Sequence, residues 1–192
     1  PFLEKLYEYC PHARLVTYGT CLEYGLINGG LDENQICAPC TKLGAAKIML
    51  YKHCLSLGFK SYIHLRIFYP YDFENPKKSS FVYYLKQAID GNESSFDMSI
   101  GTQERDFVDT KDYANAICNL LFKNSWPVTI ANVGSNMPCT VLDLARKYLS
   151  YRDSEISLCL GKIPIPFYEP CSFYSNSNAL VRTLFLDSTR SL

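Results

Sequence analysis

The sequence predicts an α/β fold built on a parallel sheet. Two β-patterned runs, Arg14-Leu15-Val16-Thr17-Tyr18 and Ser61 to Phe68, flank a helix-patterned stretch from Thr41 to about Leu57. The connection is long enough for the crossover helix that two parallel strands require. The chain has 192 residues, 47% hydrophobic and 20% charged, which is enough to bury the core of one domain or slightly more.

The elements follow in order. Phe2 to Cys10 carries apolar residues at helical spacing until Pro11 stops it. The first strand runs into Gly19-Thr20, and residues 25–40, rich in Gly, Asn, Asp and Pro, read as a loop. The helix from Thr41 has Gly58 as its C-terminal stop. After the second strand, residues 70–80 read as another loop, and Phe81 to Asp90 as a helix ended by Gly91. Phe96 to Ser99 fits a short strand. Asp109-Thr110-Lys111-Asp112 has the spacing of a capping box before a helix over Tyr113 to Phe122. Val128 to Val133 is a third strand, closed by Gly134, and Thr140-Val141-Leu142-Asp143 is a second box opening a helix to about Leu149. From Ser150 onward the pattern breaks into short extended pieces with Pro164, Pro166 and Pro170.

Nineteen basic residues balance nineteen acidic ones. A net charge of zero argues against a broad basic face for nucleic acid or an anionic membrane, while leaving room for a local anion pocket. No apolar run approaches the length of a membrane span. The nine cysteines are scattered, and only Cys37-Ala-Pro-Cys40 has the CxxC spacing. The three histidines supply no second pair of zinc ligands, so free thiols in a reducing, cytoplasmic setting are expected. The chain starts Pro1-Phe2-Leu3-Glu4, without an initiator Met or a signal-peptide pattern, and reads as a fragment whose natural start lies upstream.

Five local patterns stand in one order. Gly19-Thr20-Cys21-Leu22-Glu23-Tyr24-Gly25 follows a strand, and Pro39-Cys40-Thr41-Lys42-Leu43-Gly44-Ala45-Ala46-Lys47 opens a helix. Leu65-Arg66-Ile67-Phe68-Tyr69-Pro70-Tyr71 ends the next strand. Gly101-Thr102-Gln103-Glu104-Arg105-Asp106-Phe107-Val108 and Asn132-Val133-Gly134-Ser135 each precede a helix. The series resembles the NAD-dependent epimerase/dehydratase family, the extended short-chain dehydrogenases that act on nucleotide sugars. The resemblance covers residues 2 to about 150.

It implies a partial Rossmann-type parallel sheet with a smaller C-terminal substrate-binding region. Residues 1–69 would be the C-terminal part of the dinucleotide-binding domain. Residues 70–192 would be mainly the substrate region, with those near 107–133 returning to the Rossmann domain. The family's glycine-rich phosphate turn is absent, so NAD or NADP is expected for a full-length protein, with most of the pyrophosphate site lying outside this sequence. The implied partner is a nucleotide-sugar substrate, with a homodimer as a further expectation and neither nucleic acid nor membrane.

In the family, a Tyr of lowered pKa takes the proton of the sugar hydroxyl, helped by a Lys four residues later and a Ser/Thr on the preceding strand. By the resemblance Thr20 matches the Ser/Thr and Lys47 the Lys, and the Tyr position is Leu43. Leucine cannot carry a proton. Three readings stay open: Tyr24, Tyr18 or Tyr51 takes the role; the protein binds a nucleotide sugar and turns over poorly or not at all; or Lys47 keeps only a cofactor-ribose role. The resemblance also places Lys47, Gly19 and Phe68 beside the cofactor and Tyr24, Tyr69 and Arg105 beside the substrate. Arg105 matches a phosphate-holding Arg, with an ion pair to Glu104 or Asp106 as the other reading. Tyr69 stands where many relatives have a phosphate-binding Asn. The acid and base of the 4,6-dehydratases are replaced by Cys21 and Leu22, which favours an epimerase or reductase. The alternative is a catalytically impaired homologue that binds a nucleotide sugar or a protein partner.

Overall fold

The computed structural model describes residues 2–167 and 169–177. Helix α1 (Phe2–Tyr9) leads into strand β1 (Arg14–Tyr18), a single turn of 3-10 helix (Cys21–Glu23) and the short strand β2 (Gly29–Leu31). Helix α2 (Lys42–Leu57) starts where Thr41 Oγ1 accepts the Gly44 N–H at 3.0 Å. It ends at Gly58, whose φ of 80° is the left-handed conformation that glycine adopts without strain. Strand β3 (Ser61–Ile67) follows, then β4 (Tyr69–Tyr71), α3 (Phe81–Asp90), β5 (Ser95–Asp97), β6 (Glu104–Arg105) and β7 (Phe107–Asp109). The chain continues through α4 (Thr110–Phe122), β8 (Ile130–Val133), β9 (Cys139–Thr140), α5 (Val141–Arg152), β10 (Ser157–Cys159) and β11 (Ser172–Ser175).

The central sheet has the order β1-β3-β8, all parallel, with Val16 opposite Ile63 and Leu65 opposite Ala131. Because β3 lies in the middle, Tyr62 to Arg66 are all buried. Its alternate residues serve two cores. Ile63 and Leu65 pack with Leu120, Ile117 and Tyr113 of α4. Tyr62 packs with Cys54 and Tyr51 of α2 and with Leu3 and Leu6 of α1. The arrangement is a parallel sheet between helical layers. A third core joins α3 and α5 through Val82, Leu85, Leu144 and Tyr148, edged by the parallel pair β5–β10. The other strands form the β4–β7 pair and the sheet β2-β11-β6-β9.

Several elements differ from the expectations. Residues 70–80 do not begin as a loop: β4 pairs with β7 across Pro70 and Val108. The proline is tolerated because β4 has a neighbour on one side only. The loop 25–40 contains β2, which pairs with β11. Helix α4 begins at Thr110, ahead of the expected Tyr113, capped by Asp109 accepting the Lys111 N–H at 2.8 Å. The third strand is limited to Ile130–Val133, and α5 continues to Arg152. The reciprocal box at Thr140 and Asp143 is present. Residues 178–192 of the expected substrate region lie outside the described residues. No helix among the described residues is long and apolar enough to cross a membrane.

Candidate functional site

In open parallel sheets ligands bind beyond the carboxyl ends of the strands. Here β1 and β3 deliver Gly19-Thr20 and Phe68-Tyr69 to that edge. The 3-10 turn after β1 is closed by a capping box: Thr20 Oγ1 accepts the Leu22 N–H at 3.3 Å, and Glu23 Oε1 accepts the Thr20 N–H at 2.9 Å. The Thr20 hydroxyl oxygen, which accepts there, also carries a proton it can donate. Gly19 is needed for packing, since a Cβ there would fall 2.2 Å from Glu23 Oε1 and 2.4 Å from His64 Nε2. The first turn of α2 docks on the same turn through Gly44, where a Cβ would fall 2.4 Å from the Leu22 carbonyl oxygen.

Beneath Thr20 lies a buried polar network. Glu23 and His64 are fully buried, and Arg66 nearly so. His64 Nε2 donates to Glu23 Oε1 at 3.0 Å, and Arg66 Nε to Glu23 Oε2 at 3.0 Å. His64 Nδ1 lies 2.7 Å from Thr17 Oγ1, which lies 3.0 Å from the Tyr62 hydroxyl. Burial works to raise the Glu23 pKa, but bonding and charge from His64, the Thr20 N–H and Arg66 outweigh it and hold Glu23 below its ordinary value. Arg66 also stacks over the Tyr24 ring at 4.5 Å and donates to Cys37 Sγ at 2.9 Å. All nine cysteines are free thiols.

Tyr24 is completely buried. Its phenol donates to Asn132 Oδ1 at 2.7 Å, with the Asp32 carbonyl oxygen 3.0 Å away, and burial raises its pKa well above the ordinary value. A phenol so held is a poor proton carrier. Tyr18 leans away from α2, its ring edge-on to Tyr113 of α4. Tyr51 lies halfway along α2 over His64 and Tyr62, its hydroxyl 3.4 Å from Thr129 at the amino end of β8. Tyr18 and Tyr24 flank Thr20 at the carboxyl edge, but the Tyr18 ring turns to Tyr113 and the Tyr24 hydroxyl is committed to Asn132, while Tyr51 lies away from that edge. Leu43 is 52% exposed, and Lys47, one turn on, is half-buried. Cys21 is buried, and its thiol is pushed up to about 12 by that burial.

The substrate-side candidates form one cluster. Phe68, the candidate beside the cofactor, borders this cluster: it is buried between Tyr24 and Phe173, and its N–H bonds the Val133 carbonyl. Tyr69 stands edge-on to Phe107 and Phe173, its pKa raised to about 12 by burial. The Arg105 guanidinium lies 5.6 Å from the Tyr69 ring centre. It is 3% exposed and pairs with neither Glu104 nor Asp106 through a carboxylate. Its Nη1 donates to the Glu104 carbonyl at 2.7 Å, and its Nη2 to Glu169 Oε1 at 2.5 Å. Asp106 is taken by the Ser135, Asn136 and Ser175 N–H groups. Glu169 and Gln103 line a cavity of 570 Å3 whose walls include Phe81, Phe96, Met98 and Pro166.

A dinucleotide's pyrophosphate needs a glycine turn opening a helix. Among the described residues the glycines with positive φ are Gly25, Gly29, Gly58, Gly101 and Gly161, and none opens a helix. The described residues do not by themselves fit that group.

Sequence reasoning passed over Glu23, His64, Asn132 and Glu169. A signal existed for His64: it stands two residues from Arg66 in an otherwise apolar strand, so both share one buried face and require a buried acid.

The chain resembles solved structures over nearly its whole length. The UDP-glucuronic acid 4-epimerase of Bacillus cereus, solved with a fluorinated UDP-sugar and NAD, superposes with a TM-score of 0.75 at 21% identity, covering 98% of this chain and 62% of that one. The UDP-N-acetylglucosamine 4-epimerase of Methanobrevibacter ruminantium, solved with UDP-N-acetylmuramic acid, gives 0.77 at 19% identity, covering 96% and 61%. A dTDP-glucose 4,6-dehydratase of Bacillus anthracis, in complex with NAD, gives 0.72 at 18%, covering 95% and 57%. At these identities the likeness is one of fold, and the chain spans about three-fifths of the length of these structures. No curated protein matches. The family model described as "NAD dependent epimerase/dehydratase family" matches residues 3–134, which is well over half of the chain. With its parallel sheet and the site at its carboxyl edge, the chain belongs to the NAD-dependent epimerase/dehydratase family.

Proposed function

We propose that the chain carries the nucleotide-sugar side of an NAD(P)-dependent epimerase or reductase. Residues 1–69 with the return near 107–133 would form the Rossmann part, and the remainder mainly the substrate region. The observation that carries this reading is Arg105: a buried guanidinium against Tyr69, next to a mostly apolar cavity of 570 Å3. An aromatic and thioether wall suits a nucleobase or sugar face, and a desolvated guanidinium suits a diphosphate. The B. cereus and M. ruminantium structures hold UDP-sugars, which supports this class of ligand. Thr20 would donate its hydroxyl proton to a sugar oxygen, and Lys47 would supply positive charge from α2. In the whole protein Gly19, Lys47 and Phe68 would be among the residues that hold NAD or NADP, which would supply hydride chemistry. A homodimer and a cytoplasmic setting belong to the same proposal.

A second reading is favoured by the tyrosines. With Leu43 at the family's Tyr position and Tyr24, Tyr18 and Tyr51 all directed elsewhere, the proton carrier is missing from the described site. The protein would then bind a nucleotide sugar, or a partner, without efficient turnover. Nicotinamide absorbance on the intact protein with UDP-, GDP- and dTDP-sugars separates the two. The enzyme reading expects turnover in the wild type, or a gain of at least about tenfold in Leu43→Tyr, below the 10²–10⁴ of a fully positioned acid/base. Binding with no turnover in either leaves the second reading standing.

A further inference from the structure

The Arg105 anion site is already filled by the chain itself. Nη2 of Arg105 donates to Glu169 Oε1 at 2.5 Å, with the Arg105 side chain 4% exposed and that of Glu169 34% exposed. Glu169 lies in a proline-rich part of the sequence, and the described residues on either side of it are tied down. At one end the Lys162 and Ile163 N–H groups share the Met98 carbonyl at 3.1 and 3.2 Å. At the other, the Cys171 carbonyl accepts the Glu104 N–H at 2.8 Å, and Asn28 Oδ1 accepts the Cys171 N–H at 2.7 Å. Between them Pro164 and Pro166 have no N–H to give. Ile163, Pro164 and Pro166 border the 570 Å3 cavity beside Phe81 and Phe96. Ile163, Pro164, Pro166 and Glu169 thus line one side of the cavity, and the Glu169 carboxylate is the charged contact with the buried arginine.

We propose that Glu169 is an intramolecular occupant of the Arg105 anion site, a latch that the diphosphate of a nucleotide must displace. This rests on the reading of Arg105 as the phosphate-binding residue and adds how access to it is controlled. A carboxylate and a phosphate offer the same guanidinium the same charge-assisted bond. They exclude one another on Nη2. Arg105 cannot turn to meet a ligand elsewhere, because Nη1 is held by the Glu104 carbonyl at 2.7 Å and the side chain is enclosed. The moving part is therefore the partly exposed Glu169. A latch closed nine times in ten lowers apparent affinity about tenfold, and its removal restores that factor.

The test is calorimetric titration of the intact protein with UDP, comparing wild type, Glu169→Gln, Arg105→Ala and Arg105→Lys. Glu169→Gln is nearly isosteric and should bind UDP about tenfold more tightly, while Arg105→Ala should weaken binding by a similar factor or more. Arg105→Lys keeps a charge in place and guards against simple loss of fold, which circular dichroism checks. It should fall between wild type and Arg105→Ala. Weaker binding in Arg105→Ala together with unchanged or weaker binding in Glu169→Gln leaves the phosphate site standing and overturns the latch. UDP affinity indifferent to folded Arg105 variants overturns the site reading, and the latch with it. Both also fail if neither wild type nor Glu169→Gln binds UDP.

Discussion

Glu23→Ala is the most demanding perturbation of the site. Three donors converge on this fully buried carboxylate: the Thr20 N–H at 2.9 Å, His64 Nε2 at 3.0 Å and Arg66 Nε at 3.0 Å. Removing one partner of a buried ion pair strands the other charge in low dielectric, at a cost of about 3–5 kcal/mol. Some of that is relieved here, because Arg66 keeps Cys37 Sγ and the Tyr24 ring. A loss of about 3 kcal/mol is therefore expected, out of a total stability on the order of 5–15 kcal/mol. Equilibrium urea unfolding of wild type, Glu23→Ala and the double variant Glu23→Ala/Arg66→Met measures it. The double variant should be less damaged than the sum of its singles, since it removes the stranded charge as well as the acid. A Glu23→Ala protein within about 1 kcal/mol of wild type, the range of an exposed ion pair, would refute the reasoning.

The same carboxylate sets a pH dependence. Glu23 is held below its ordinary value of 4.5, so its contribution is complete above that pH and is lost as pH falls through the lower folded value. Urea midpoints should therefore fall on acidification below pH 4.5 in wild type, with a shallower fall in Glu23→Gln. Gly44→Ala should destabilise despite a helix-propensity gain of about 1 kcal/mol, because its Cβ meets the Leu22 carbonyl oxygen at 2.4 Å and overpacking against backbone costs about 1–3 kcal/mol. A Gly44→Ala melt at or above the wild-type temperature would contradict that close approach. Tyr24→Phe leaves the buried Asn132 Oδ1 without its phenol donor and should cost about 1–3 kcal/mol in the same unfolding assay.

The legible parts of the fold were those with local signals. The Thr41 cap and the Gly58 stop delimit α2, and apolar runs mark β1 and β3, so the βαβ unit can be read directly. What could not be read was pairing over long separations. Strand β2 is three residues in a Gly-rich loop and becomes a strand only because β11, more than 140 residues later, lies alongside it. Strands β6 and β9 are two residues each and carry no periodicity of their own. Pro70 marked a loop, and only its one-sided pairing with β7 permits a strand. The site divides in the same way. Thr20, Tyr69 and Arg105 stand in patterned segments and gather at one edge of the sheet. The resemblance suggested Tyr24 beside the sugar, but its hydroxyl is committed to Asn132, a residue 108 positions away. Glu169 comes from the irregular tail, where no pattern announces a partner for Arg105.

The most direct test of the central claim is a structure of the intact protein with a bound UDP-sugar, read at Arg105. The expected result places a diphosphate oxygen within about 3 Å of the guanidinium nitrogens, the ordinary length of a charge-assisted bond, with the base or sugar against Phe96 and Met98 and the Glu169 carboxylate displaced. A diphosphate bound elsewhere, with Arg105 still paired to Glu169 and the cavity empty, would contradict it.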